Sequence, residues 1–308
     1  MLEILFSPAV LINYFYSILR MSTPLVYGSM GAVISKRAGT NNLAIEATML
    51  MSAMAGCMTS IFIKSIWIAL LAAIVAGVLV SLFLAVMFLK YRADSRMVCI
   101  SLNTVALGLA MVVPLIVLGA KGNTSAFPSL TFPSWELPII KDIPVLGEIF
   151  SGQCCLTYIA VPVVIAVWFL LFKTPIGLRI RAAGETPEAA ESVGVNVYRV
   201  KLLSFMLTGV VSAIGGCFMS MYYLSWFTYG MIAGRGFICL SISNLTNGRP
   251  VTAALVAILF GAVDALANNL QGVASIPADL LQIMPYLITV IGVTLVGIMD
   301  AKQLKAET

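Results

Sequence analysis

The chain contains no histidine, which removes the commonest general base and the commonest metal ligand from consideration. Charge is also scarce. Asp, Glu, Lys and Arg together make up 10% of the residues, against roughly 25% in an ordinary soluble domain. With 60% of the residues hydrophobic and a mean hydropathy of +1.03, apolar runs recur throughout and leave no interval for a large soluble domain in which a soluble substrate could react. The six cysteines show no paired spacing of the zinc type. Cys57, Cys99, Cys217 and Cys239 lie in or beside apolar runs as small hydrophobes, and Cys154 and Cys155 are adjacent in a loop, so neither a metal site nor a disulfide framework is expected. Residues 1–20 have no basic leader and no small-residue cleavage site, so they are not read as a removable signal peptide. No cofactor and no nucleic-acid partner is implied.

What is present reads as one all-α polytopic membrane domain over residues 1–308, with about nine membrane segments in two pseudo-repeated halves. Residues 1–20 carry Tyr14, Tyr16 and Arg20 among apolar residues and are expected to form an interfacial helix. A short first span follows over about 21–34, ended by Lys36 and Arg37. The next spans are expected over about 42–63, 66–89, 97–118, 156–172 and 202–222, the last with Gly209, Gly215 and Gly216 for close helix contact. Residues 119–155 hold Pro128, Pro133, Pro138 and Pro144 with Trp135, and read as an extracellular loop folded onto the membrane surface. After residue 222 comes a broken region. Its apolar run over 237–245 is too short to cross ~30 Å of hydrocarbon at about 1.5 Å per residue, so a half-helix starting near Gly234 is expected. Spans over about 251–270 and 281–299 complete the chain, with an interfacial stretch between them.

The polar interval over residues 173–201 lies between two long apolar runs and must project into water. Within it Thr186 is placed to cap a helix whose first residue is Pro187. Glu188 and Glu191 fall in its first turns, where the helix dipole favours carboxylates, and Gly194 ends it. Small Ala189 and Ala190 on this short helix would permit close approach by another protein. If this loop is cytoplasmic, its side of the membrane also holds Lys36, Arg37, Lys90, Arg92, Arg96, Arg249, Lys302 and Lys305, while the opposite side holds Arg20, Lys64, Lys121 and Lys141. The positive-inside rule then places the N-terminus outside and the C-terminus in the cytoplasm.

Polar residues inside spans mark candidate pathway positions, here Asn42, Glu46 and Asn103, with Gly234, Arg235 and Phe237 at the break. A break followed by polar and charged residues occurs near 41–46 and again near 234–235, the pattern of a pathway at a pseudo-symmetry interface. For Glu46 two readings stand side by side: a gate or pathway residue, or a carboxylate held by helix amides. Asp264 reads as a packing residue or a partner of Asn268, Arg235 as a loop-holding residue or a vestibule one, and Asn103 as a bridge between helices.

The segment EAAESVG at residues 188–194 resembles the EAA-x3-G signature of permease subunits of ATP-binding-cassette importers. Residues 22–53, 177–197, 233–240 (AGRGFICL) and 259–266 (LFGAVDAL) extend the likeness over nearly the whole chain. Together they resemble the simple-sugar and nucleoside branch, in the same superfamily as ribose and branched-chain amino-acid permeases. Where that branch tends to read N-I-G-L-E-G, this chain has Asn42, Leu43, Ala44, Ile45, Glu46 and Ala47, with alanine at both glycine positions. The resemblance implies a non-enzymatic permease subunit in the cell membrane that moves a neutral polar solute, a nucleoside first and a simple sugar second. It implies an ATP-binding subunit docking on Glu188, Ala189, Ala190 and Gly194, a second related permease chain forming a heterodimer, and an extracellular substrate-binding lipoprotein. The rival expectation is an ion-coupled carrier using Glu46 and Asp264.

Overall fold

In the computed structural model, residues 8–136, 148, 151–273, 287 and 294 are described. The chain is built from helices: α1 (Pro8–Arg37), α2 (Ile45–Ile63), α3 (Ile66–Leu89), α4 (Ser95–Leu118), α5 (Cys155–Lys173), α6 (Pro175–Glu185), α7 (Pro187–Ser192), α8 (Val197–Phe218), α9 (Arg235–Leu245) and α10 (Pro250–Val273). Helix α8 runs on into a π-helical turn, Met219–Tyr223. Among the described residues six helices are long and apolar enough to cross a membrane, namely α2, α3, α4, α5, α8 with its π turn, and α10. The chain is therefore a multi-pass membrane protein. The span expected over 281–299 lies outside the described residues.

Helix α1 corrects the expectation of an interfacial helix ending at residue 20 and a separate span beginning at 21. Residues 8–20 and the expected span belong to one continuous helix of 30 residues, about 45 Å long, while residues 1–7 lie outside the described residues. The expected break rests on Tyr14, Tyr16 and Arg20 as interface residues. In the fold Arg20 Nη2 instead donates to the Tyr223 carbonyl at 2.8 Å, and its guanidinium stands 5.1 Å from the Tyr223 ring and 5.4 Å from that of Tyr222. From residue 21 to 35 every residue of α1 is buried, so α1 is a central helix, packed by α10, α8, α9 and α5. Helix α8 is the second central element and touches α3, α1 and α2. Its glycines make this possible: a Cβ at Gly216 would overlap the Met49 carbonyl oxygen, and one at Gly209 would lie 2.8 Å from the Gly77 carbonyl oxygen.

Helix α4 is the outlying one. It packs on α2 and α3, and only Cys99, Ala106, Ala110 and Pro114 along it are buried. A two-residue antiparallel pair, β1 (Ser134–Trp135) with β2 (Gln153–Cys154), interrupts the helical pattern. The segment after α4 is also tied to the chain after α8. Thr124 N–H donates to the Phe227 carbonyl at 2.9 Å, the Phe227 N–H donates to Thr124 Oγ1 at 2.9 Å, and the Tyr229 N–H donates to the Gly122 carbonyl at 2.7 Å. Cys154 and Cys155 are buried at the start of α5 rather than displayed in a loop.

Candidate functional site

The half-helix expected near Gly234 is α9, 11 residues long and so only about 16 Å. A helix that begins inside a membrane protein leaves its first amides without intrahelical partners. Here Glu46 from the first turn of α2 supplies the acceptor. Its Oε1 accepts from the Gly234 N–H at 2.9 Å and its Oε2 from the Gly236 N–H at 2.7 Å, so one carboxylate spans the start of α9. The approach needs glycine: a Cβ at Gly236 would lie 2.5 Å from Glu46 N and 2.6 Å from Glu46 Cα. Gly234 itself has φ +77°, the left-handed region that favours glycine.

The start of α2 is capped in its turn by other chain segments. Asn103 of α4 accepts from the Ala47 N–H at 3.1 Å through Oδ1 and donates to the Leu43 carbonyl at 3.1 Å through Nδ2. Asn42 Oδ1 accepts from the Ala44 N–H at 2.9 Å. Asn42 is 1% exposed, and its Nδ2 has no partner among the described residues. Asn103 thus ties α4 to α2, and Glu46 ties α2 to α9. Arg235 donates from Nη1 to the Ile232 carbonyl at 3.3 Å, which steadies the preceding turn, and its Nε lies 3.8 Å from Asp264 Oδ2 on α10. Asp264 therefore faces Arg235. Asn268, its expected partner, donates instead to Met21 Sδ at 3.2 Å. Phe237 is exposed on α9.

So Asn42, Glu46, Asn103, Gly234 and Arg235 are drawn together by one network of caps, with Phe237 beside it. Sequence reasoning did not find what holds the other end of α9. Lys36 Nζ donates to the carbonyls of Ser243 (3.4 Å) and Asn244 (3.2 Å), and Arg37 Nε donates to the Gly248 carbonyl at 2.8 Å. Two cations at the end of a helix, facing the last carbonyls of a second one, match the dipole rule. In the sequence they read only as loop charges, because the partner lies more than 200 residues on.

The loop over 173–201 is a separate region. Two corrections apply to it. Thr186 makes no side-chain cap bond to α7, whereas Thr174 caps α6 by accepting from the Gly177 N–H at 3.2 Å. The interval before Thr186, expected as flanking chain, is the amphipathic helix α6, 11 residues long. Helix α7 ends as expected at Gly194, with φ +83°. The Gly194 N–H donates to the Glu191 carbonyl at 2.9 Å and the Val195 N–H to the Ala190 carbonyl at 3.0 Å, the paired bonds of a Schellman stop. Ala190 points inward, 3% exposed, against Ala183 and Val197. Glu188, Ala189, Glu191, Ser192, Val193 and Gly194 are exposed, Val193 at 77%.

The described chain is thus a helical membrane body with a capped half-helix and a separate, glycine-stopped exposed helix. Residues 14–299 match the family described as "Branched-chain amino acid transport system / permease component". The chain belongs to that family. It is similar to the guanosine ABC transporter permease protein NupQ of Bacillus subtilis, 33% identical over 291 residues, 91% of each chain. The nucleoside ABC transporter permease protein NupC of Lactococcus lactis is 33% identical over 280 residues, 88% of this chain and 87% of the relative. The glucose ABC transporter permease protein TsgB13 of Haloferax volcanii is 24% identical over 291 residues, 90% of this chain and 75% of the relative. As a permease component the chain is a transport subunit and not an enzyme, and such a component works with an ATP-binding subunit and a substrate-binding partner.

Proposed function

We propose that this chain imports a nucleoside, with a simple sugar as the second choice, as one half of a heterodimeric pore. The observation that carries the substrate class is 33% identity, over about nine-tenths of the chain, to a permease named for guanosine and another named for nucleosides. A neutral solute also suits the site: Glu46 is bonded to two backbone amides, and Arg235 and Asp264 face each other, so the region offers polarity without a free charge to hold an ion. The pathway runs past Gly234, Arg235 and Phe237 and the capped start of α2, with Asn42, Glu46 and Asn103 forming its wall. The second, related permease chain covers α4, which buries little of its length within this chain and carries exposed Ser101, Thr104 and Gly108. An extracellular lipoprotein delivers the solute.

The ATP-binding subunit docks on α7 through Glu188, Ala189 and Gly194, with Ala190 anchoring the helix from behind. This reading is supported by the exposure of that face and by the absence of any atom within 4 Å of a Cβ built at Gly194. The loop is cytoplasmic, the N-terminus outside and the C-terminus inside, in a chain of about nine segments and two pseudo-repeated halves. ATP binding closes the partner subunit, pulls on α7, and opens the cavity alternately to the receptor and to the cytoplasm.

The test is purification of the tagged chain from its native membrane in mild detergent, beside Gly194→Trp. The expected result is an ATP-binding subunit with the wild type that is lost or weakened in the variant, and a co-purified receptor that binds nucleosides before sugars. A chain that purifies alone and moves solute in ATP-free liposomes under an ion gradient would refute the proposal and turn attention to Glu46 and Asp264.

A further inference from the structure

We propose that the end of α1 with the two residues that follow it, residues 36–39, is the relay that carries movement of the loop over 173–201 to the half-helix α9. The proposal rests on the reading of residues 188–194 as the docking site of the ATP-binding subunit.

The first half of the relay is a contact between backbones. Gly184, near the end of α6, lies directly on the chain just after α1. A Cβ built at Gly184 would overlap the Arg37 carbonyl oxygen and come within 2.8 Å of Gly39 N, and one built at Gly39 would lie 2.6 Å from the Gly184 carbonyl oxygen. With no side chain between them, there is no rotamer whose change could absorb a displacement. Phe172, at the end of α5, reinforces the joint. The Arg37 guanidinium lies 5.5 Å and the Arg181 guanidinium 5.0 Å from its ring centroid, so a residue of α6 and a residue of α1 share one aromatic surface. Helix α7, on which the partner subunit would act, follows α6 after the single residue Thr186 and rests on it through Ala190 and Ala183.

The second half joins the same end of α1 to α9. Lys36 holds the carbonyls of Ser243 and Asn244 in the last turn of α9, and Arg37 holds the Gly248 carbonyl just beyond it. Helix α9 packs along α1, and left-handed residues flank it: Ala233 (φ +50°) and Gly234 (φ +77°) before it, Asn247 (φ +49°) and Gly248 (φ +65°) after it. Such residues at element ends are where hinge rotations are absorbed. At its far end α9 meets Glu46, so a pull on α6 reaches the carboxylate-capped start of α9 through a continuous line of packed backbone and charge-assisted bonds.

The test uses the importer assembled from this chain and the subunits that co-purify with it, in proteoliposomes, with guanosine as the transported probe. Solute uptake and ATP hydrolysis are measured together for wild type, Lys36→Ala, Lys36→Arg and Arg37→Met. The relay predicts that Lys36→Ala and Arg37→Met still retain the ATP-binding subunit and still hydrolyse ATP, while uptake per ATP falls by about tenfold, and that Lys36→Arg restores most of it. Uptake per ATP equal to wild type in both Lys36→Ala and Arg37→Met, or uptake and hydrolysis falling in equal proportion, overturns the relay alone. Failure of the wild-type chain to bring down any ATP-binding subunit overturns the docking reading and the relay with it.

Discussion

Replacing Glu46 by Gln tests the cap on α9 with almost no change in shape. The carboxylate accepts from Gly234 N–H at 2.9 Å and from Gly236 N–H at 2.7 Å. A glutamine keeps one acceptor oxygen and sets an NH2 group against the other amide, so one of the two bonds becomes a clash of donors. The surviving bond also loses its negative charge. A hydrogen bond to a charged group contributes about 1.5–3 kcal/mol, and a carboxylate at a helix N-terminus about 0.3–1 kcal/mol more. The start of α9 should therefore open more easily by about 2–3 kcal/mol, which is roughly 30- to 150-fold in the population of the open form. Hydrogen–deuterium exchange of the purified chain reads this directly, since the Gly234 and Gly236 amides exchange only when the cap opens. Faster exchange is expected in the peptide that covers residues 233–238, with the middle of α8 unchanged as the internal control. Equal protection of that peptide in the wild type and in Glu46→Gln would refute the cap as the force that seats α9.

Gly236→Ala attacks the same joint by volume: the added methyl would sit 2.5 Å from Glu46 N, so α9 must back away from α2, and solute uptake should fall well below that of Glu46→Gln while the chain still reaches the membrane, as a surface-labelling assay would report. Asn103→Ala leaves the Ala47 N–H and the Leu43 carbonyl without their partner. It should lower stability by about 1–2 kcal/mol, seen as a lower unfolding temperature in detergent, and Asn103→Asp, which sets a carboxylate oxygen against the Leu43 carbonyl, should not recover it. Gly194→Ala places a methyl in open space but at φ +83°, so it should cost about 1 kcal/mol of local stability and leave retention of the ATP-binding subunit near wild type. Loss of that subunit in Gly194→Ala as complete as in Gly194→Trp would show that backbone conformation, and not room for a partner, is what the glycine provides.

Spans whose apolar runs end in charge were legible from the sequence, and α3 begins and ends where expected, at Ile66 and Leu89. The half-helix α9 was legible from the shortness of its run, and the stop of α7 from Gly194. Helix α1 was not, because Arg20 Nη2 is held by carbonyls of Tyr222 and Tyr223 about 200 residues away, and no local pattern separates such an arginine from one that anchors a helix at the membrane surface. Ala190 was misjudged for a related reason. On a helix of six residues the inward and outward faces cannot be told apart by periodicity, and only the packing of α7 on Ala183 and Val197 turns Ala190 in and leaves Ala189 out. The partners of Glu46 were beyond reach as well. A carboxylate inside a span signals that something must compensate it, but that the compensation is two glycine amides 188 and 190 residues later depends on how α9 folds back.

The partners of Glu46 and Asp264 also bear on where the energy for transport comes from. A carrier driven by protons needs a titratable group whose partners change as the pathway opens. Among the described residues, the carboxylates inside the helices that can cross a membrane are Glu46 and Asp264, and both have structural partners: Glu46 the start of α9, Asp264 the guanidinium of Arg235. Protonating Glu46 would remove the charge that seats α9 and so loosen the joint between α2 and α9. An external source of work avoids this conflict. On the proposed docking reading the exposed helix α7 is where that work is applied, and the cap that joins α2 to α9 can then stay intact while the two helices move together.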